Sequence, residues 1–310
     1  MSFEIINSTS RHLTNHQIMK ISNFTKGIIS SSFGSFYWGF FGTIYFQYIS
    51  FIGYFEVVVH RSIWTLVILL ITTTFLSKWK VLKKILADKK KLIILFITGL
   101  LILANWTLWI YAVSNNKIID ASFGYFIFPI ISVFLGYLFL KEKLNKKRLI
   151  SISLVAISSL YLLLNSPSIP WAGFGMATFW SSYNLLRKKI NVETDIGLLI
   201  ESLFILPIVI IALYFIINTN NNDFSLTNIN LTFLIILAGP MTLIPLFLYV
   251  KGVELSGLGP SGMIFFITPT AQFLLGFFYF NEPFSNQKFI SFIIIWFAVF
   301  IYLKDLYEKN

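Results

Sequence analysis

The chain has 310 residues, of which 56% are hydrophobic and only 12% charged, with a formal net charge of +11 and no cysteine. A soluble domain carries about twice that charged fraction, so the composition excludes an ordinary soluble enzyme, and the missing cysteine excludes a disulfide framework and thiol chemistry. The positive charge could suggest nucleic acid, but it sits between apolar runs, where basic residues set membrane topology.

Residues 1–25 are polar, contain Arg11, His12 and Lys20, and lead into an apolar run with no cleavage site. They read as a cytoplasmic tail and not as a signal peptide. Apolar runs of bilayer length then recur, predicting helices over 27–47, 53–77, 92–114, 119–140, 147–164, 169–187, 196–217, 231–253, 259–280 and 287–304. The longest connections are Lys78–Lys91 and the Asn-rich Asn218–Asn230, and neither has room for a soluble domain. Residues 306–310 form a second short tail. With the N-terminus inside, every lysine and arginine falls on the inner side except Lys117 and Lys288, outside, and Arg61, within a helix. That bias puts both termini in the cytoplasm.

One stretch occurs twice. Asp120–Leu144, DASFGYFIFPIISVFLGYLFLKEKL, returns 140 positions later as Pro260–Phe284, PSGMIFFITPTAQFLLGFFYFNEPF. Pro129 matches Pro269, Gly136 matches Gly276 and Glu142 matches Glu282. Five spans per copy is an odd number, so the second half runs through the membrane in the opposite sense. The expected fold is an all-α integral membrane protein of ten transmembrane helices, a 5+5 inverted-topology repeat with halves at 26–164 and 165–305. Transporters of this design bind solute near the midplane, between the halves.

Polar groups at membrane depth are the candidates for function. Glu56 and His60 share a face of the second span and Arg61 sits one step round; the three read either as a structural ion pair near the outer end or as a substrate or proton site. Glu201, the counterpart of Arg61 in the second half, needs a partner, an aqueous path or a neutral form, and reads equally as packing or function. Asp120 and Glu254 read as caps at helix ends. Asn105 must hydrogen bond within the bundle, and it stands among Trp106, Trp109 and Tyr111. Trp38 and Tyr37 in the first span, with Trp180, Tyr183 and Asn184 in the sixth, complete an aromatic set that packs, belts the interface or lines a pocket. Pro129 and Pro269 each remove one helical hydrogen bond. Gly124, Ser132 and Gly136, like Thr268, Gln272 and Gly276, form small stripes suited to close packing. No phosphate-binding glycine loop, zinc cluster or nucleophile elbow is present, so no cofactor and no metal are expected.

VVVHRSIW around His60-Arg61, NWTLWIYAVSNNKIIDASFGYFIFP at 105–129, LGYLFLKEKL at 135–144, LLRKKI at 185–190, LLIES at 198–202 and FITPTAQFLLGFFYFNEPFS at 266–285 together resemble the EamA-type transporters of the drug/metabolite transporter superfamily, and within it the RarD-like permeases. The resemblance covers about 26–303. It implies a ten-helix carrier with cytoplasmic termini and a central cavity, exporting or exchanging amino acids, metabolites or drugs. Phe128 stands where relatives often carry Asn, which alters a cavity-facing polar group, and Lys143 stands where the second half has Pro283.

The expected function is a secondary-active permease of the bacterial inner membrane, moving a small metabolite, amino-acid-like solute or drug by alternating access. Its partners are the solute, the lipid bilayer and protons as coupling ion, with no nucleic acid. The alternative class is a membrane-embedded enzyme acting on a lipid or isoprenoid. The first, third, fourth, sixth, eighth and ninth spans are expected to line the cavity, through Trp38, Asn105, Trp109, Tyr125, Ser132, Tyr183, Asn184, Thr268 and Gln272. Glu56, His60, Arg61 and Glu201 form the gating or coupling set. The kinked helices at Pro129 and Pro269 are expected to face each other across the cavity.

Overall fold

The computed structural model describes residues 22–114, 118–165, 170–219, 222–225, 227–279 and 286–308, without the side chains of 113–123 and Lys288. Most of the expected N-terminal tail, Lys117, Glu282 and the side chains of Asp120 and Lys288 therefore lie outside the described residues. Among the described residues there is helix and no strand.

The first expected span is not one helix. It is α1 (Asn23–Tyr37), a π-helical turn at Trp38–Gly42, and α2 (Thr43–Tyr48). A π turn inserts one residue per turn and re-aims the side chains around it, and here it carries Trp38. There follow α3 (Tyr54–Phe75), the short α4 (Trp79–Leu86), α5 (Lys89–Ser114), α6 (Ile118–Leu140) and α7 (Lys146–Leu164). The remainder is α8 (Trp171–Lys189), α9 (Thr194–Asn218), α10 (Ile229–Ser256), α11 (Leu258–Ile264), α12 (Ile267–Phe278) and α13 (Asn286–Tyr307). The helix α4 adds an element that the apolar runs do not predict, inside the Lys78–Lys91 connection. It buries Leu82 and Ile85 and turns Lys80, Lys83 and Lys84 outward.

Among the described residues, seven segments are long and apolar enough to cross a membrane: α3, α5, α7, α9, α10, α11–α12 together and α13. A helix of 20 residues spans about 30 Å, the thickness of a hydrocarbon core. The first span falls short on helix length because the π turn divides it. The described apolar side chains of α6 begin only at Gly124, and α8 ends in Arg187-Lys188-Lys189. The outer surface is apolar almost throughout, with Phe33, Phe75, Phe139, Leu160, Ile211 and Phe300 all exposed. Patches of that extent belong against lipid.

Eight helix pairs dominate the packing: α1 on α10, α6 on α8 and α11, α7 on α13, α3 on α10 and α9, and α5 on α8 and α9. Glycines make the tightest of them. A Cβ on Gly27 would lie 2.6 Å from the Ser256 nitrogen, one on Gly252 2.6 Å from Ser31 Cβ, and one on Gly124 2.6 Å from the Gly173 carbonyl. Backbones in contact at this range gain dispersion and helix-to-helix hydrogen bonds, the forces left once lipid removes the hydrophobic one.

The two copies of the repeated stretch differ. The helix α6 runs unbroken through Pro129, whereas its counterpart divides into α11 and α12 at Phe265–Phe266. Pro269 falls in the first turn of α12, where a missing N–H costs little, and the Phe265 carbonyl accepts from the Thr268 N–H at 2.9 Å. Both prolines are buried. The helices α6 and α11 touch directly: a Cβ on Gly262 would meet Ser132 Cβ at 2.8 Å and Pro129 Cα at 3.6 Å. They do not face each other across an opening.

Candidate functional site

A cavity lies where α1, α3, α5, α6, α8 and α10 converge, closed on one side by Phe265 at the α11–α12 break. Its cavity volume is about 60 Å³, and it is partly open. The π turn brings in Trp38, whose Nε1 donates to the Tyr125 hydroxyl at 3.2 Å. The Trp38 ring stands 5.2 Å from Trp109 and 5.7 Å from Phe46. Asn105 reaches across from α5 to α8, donating from Nδ2 to the Met176 carbonyl at 3.0 Å. Trp180, Tyr249, Phe128 and Phe265 form the opposite wall, with Phe128 and Phe265 edge to face at 4.7 Å. Phe128 therefore lines the cavity, and its wall is apolar at that point.

Arg61 enters from α3 and is fully buried. Its Nε donates to Thr242 Oγ1 at 3.0 Å. The guanidinium carbon lies 4.6 Å from the Trp106 ring, 4.9 Å from Phe46 and 5.5 Å from Trp38. Three ring faces around a desolvated cation recover part of its lost hydration. No ion pair to Arg61 occurs among the described residues.

Of the expected lining residues, Trp38, Asn105, Trp109 and Tyr125 lie on the cavity. The other five lie in helix seams. Ser132 faces Ser181 at 3.4 Å, between α6 and α8. Thr268 donates to the Ser35 carbonyl at 2.9 Å, and Gln272 to Thr43 Oγ1 at 3.1 Å. Asn184 donates to the Trp180 carbonyl of its own helix at 2.7 Å. Tyr183 stacks on Trp180 and donates to Glu201 Oε2 at 3.1 Å.

The gating set divides into three separate places. Glu56 accepts from the backbone N–H groups of Asp223 and Phe224 at 2.9–3.0 Å, fastening the loop before α10. His60 stacks on Phe224 at 4.7 Å, with Nε2 3.7 Å from Glu56 Oε1. Glu201 is held elsewhere, by Thr98 Oγ1 at 2.7 Å, by Tyr183 and by Arg187 Nε at 3.5 Å. Arg61 touches none of these groups.

Sequence reasoning passes over Arg187. It lies in an Arg-Lys-Lys run that reads as a topology signal, yet it is buried and folds across Gly197, where any Cβ would collide with it. Its type is the one available signal, since a planar, weakly hydrated guanidinium suits a buried pair better than lysine does. Glu142 reads in the sequence only as a charge at the cytoplasmic end of a span. Its carboxylate accepts from the Leu258 and Gly259 N–H groups at 2.7 and 2.8 Å, and so ties α6 to the start of α11. Glu254, expected as a cap, accepts instead from Thr194 Oγ1 at 2.7 Å and Lys251 Nζ at 2.9 Å.

An all-helical, lipid-facing bundle around a partly open, mostly apolar cavity is that of a polytopic membrane protein. Residues 25–164 match the EamA-like transporter family. The chain is 31% identical over 280 residues to protein RarD of Escherichia coli K12, covering 90% of this chain and 94% of that one. It is 33% identical over 280 residues to an uncharacterized transporter of Vibrio cholerae, covering 90% and 92%. It is also 33% identical over 281 residues to the Bacillus subtilis transporter YojE, covering 89% and 93%. A solved crystal structure shares the fold at a TM-score of 0.65 and 12% identity, over 90% of this chain and 97% of that one. The chain belongs to the EamA-like transporter family, among its RarD-like permeases.

Proposed function

We propose that the chain is a secondary-active permease of the bacterial inner membrane, with ten spans in two inverted halves, 26–164 and 165–305, and both termini cytoplasmic. It moves a small metabolite, amino-acid-like solute or drug by alternating access. One observation carries the reading: the cavity is built jointly by both halves, from α1, α3, α5 and α6 on one side and α8, α10 and Phe265 on the other. A solute there would lie between the bodies that must rock. The packing supports the inverted repeat. Advancing the first half by about 140 positions turns α1 on α10 into α8 on α5, and α3 on α10 into α9 on α5, and both pairs occur. The partnerships of α3 with α9 and of α7 with α13 map onto themselves.

His60 and Glu201 are the buried protonatable groups proposed for proton coupling. Purified protein in liposomes tests the whole reading, by counterflow of labelled amino acids, nucleosides and S-adenosylmethionine-like metabolites, with and without a proton gradient. Transport indifferent to the gradient, and unchanged in Glu201→Gln and His60→Ala, removes proton coupling. A protein that moves no solute yet modifies a lipid removes the permease. The cysteine-free chain suits topology mapping: a cysteine at Lys83 should escape an impermeant maleimide in intact cells, and one at Lys117 should react.

A further inference from the structure

Arg61 is the only charged side chain on the cavity wall among the described residues, and no carboxylate lines that wall. With Nε committed to Thr242, its Nη1 and Nη2 are buried and have no hydrogen-bond partner. Ring faces attract a cation but offer no in-plane acceptor for its N–H groups. Two more cavity groups are in the same position, Trp180 Nε1 and the Tyr249 hydroxyl, both buried and unpartnered. Buried donors left without acceptors are costly and rare, so each calls for a reason. Here one object would supply it: an acceptor-rich group with negative charge. A guanidinium with two free terminal nitrogens matches a carboxylate, whose two oxygens accept in one plane. A phosphate dianion would call for more positive charge than one arginine gives. The rest of the wall, including Trp109, Phe128, Leu246 and Phe265, is apolar.

We propose that the cavity takes an organic monocarboxylate, its carboxylate bound by Arg61 and its apolar body held among the aromatic rings. The assignment rests on the permease reading and deepens it to a substrate class.

The test is thermal stabilisation of the detergent-purified full chain by phenylacetate, indole-3-acetate, phenylalanine, tryptophan and leucine, each beside its primary amide, with palmitate as a membrane-derived carboxylate. Carboxylates should raise the midpoint and their amides should not. Affinity should fall at least about tenfold in Arg61→Gln, the loss of one charge-assisted pair, and recover in part in Arg61→Lys. If Arg61→Gln does not fold, the acid-to-amide preference is read in Arg61→Lys and the wild type. Amides that bind as well as acids, a panel in which no carboxylate binds, or unchanged binding in Arg61→Gln would each overturn the proposal. Stabilisation by palmitate alone would overturn it as a soluble-solute site. The two readings fail separately: transport of neutral or cationic solutes without carboxylate binding leaves the permease and removes this inference. Carboxylate binding without transport of any solute does the reverse.

Discussion

Glu142→Ala should be among the most destabilising single changes available near the bilayer surface. The carboxylate stands at the end of α6, where Lys141 adopts φ 56° and the Glu142 N–H returns to the Gly136 carbonyl at 3.1 Å. From there it accepts two backbone N–H groups, those of Leu258 and Gly259, at the first turn of α11. Both residues are buried, and the preceding Gly257 has φ 102°, which holds the turn in place at little cost only because it is glycine. A hydrogen bond to a charged group contributes about 1.5–3 kcal/mol. Alanine removes two and leaves two buried donors, so a loss of about 3–5 kcal/mol is expected. Glutamine keeps one acceptor and turns an amide N–H toward the other donor, so about half that loss should follow. The readout is the thermal midpoint of purified protein in detergent, supported by trypsin sensitivity of the α10–α11 junction. Melting of Glu142→Ala within about 1 °C of wild type, with the junction equally protected, would show that the two bonds contribute nothing and refute the reasoning.

Three further outcomes follow from the same geometry. Glu201→Gln and Arg187→Gln should each cost about 3–5 kcal/mol by leaving a buried charge unpaired, while the double variant should cost less than their sum; additive losses in thermal melts would deny the pairing. Gly252→Leu should abolish the folded yield by driving α1 from α10, whereas Leu at the exposed Phe33 should leave a monodisperse gel-filtration peak. At Lys78, burial favours the neutral amine, but hydrogen bonds to Asp195 and Glu193 outweigh it and hold the pKa above the ordinary value. A raised value gives stability that is present below the unfolded pKa and lost as pH rises through the folded one, so Lys78→Met should cost under about 1 kcal/mol at pH 7 and progressively less as the pH rises past the ordinary lysine range.

The helices were legible because a span advertises itself by length: a run of about twenty apolar residues matches a bilayer and little else. The local winding was not legible. Trp38-Gly-Phe-Phe-Gly42 holds no proline, so nothing announces the π turn that sets Trp38 on the cavity. Wall and seam were not separable either. Ser132, Thr268 and Gln272 have the same credentials as Asn105, being polar at membrane depth, yet they satisfy themselves against neighbouring helices. Small polar side chains do this readily, because the facing backbone is close enough to accept. Large aromatic residues with one polar tip do so less often, so Trp38, Trp109 and Tyr125 were the better guides to the cavity, while Tyr183 closes a seam by donating to Glu201.

Arg61 and Glu201 occupy corresponding positions 140 residues apart, and both are buried, but the fold treats them differently. Glu201 is given Thr98, Tyr183 and Arg187, and a glycine at 197 clears room for the last of these. Arg61 is given Thr242 and three rings. A fold that had merely inherited a charge in each half had the same means of neutralising both, since a single carboxylate on α5 or α10 would serve. Where the charge borders the cavity it has no counter-ion among the described residues, and where helices close around it Glu201 gains an ion pair, although Arg187 Nε and Nη1 still lack a hydrogen-bond acceptor. An arginine left without a counter-ion on the cavity wall is the arrangement that the proposed carboxylate site requires.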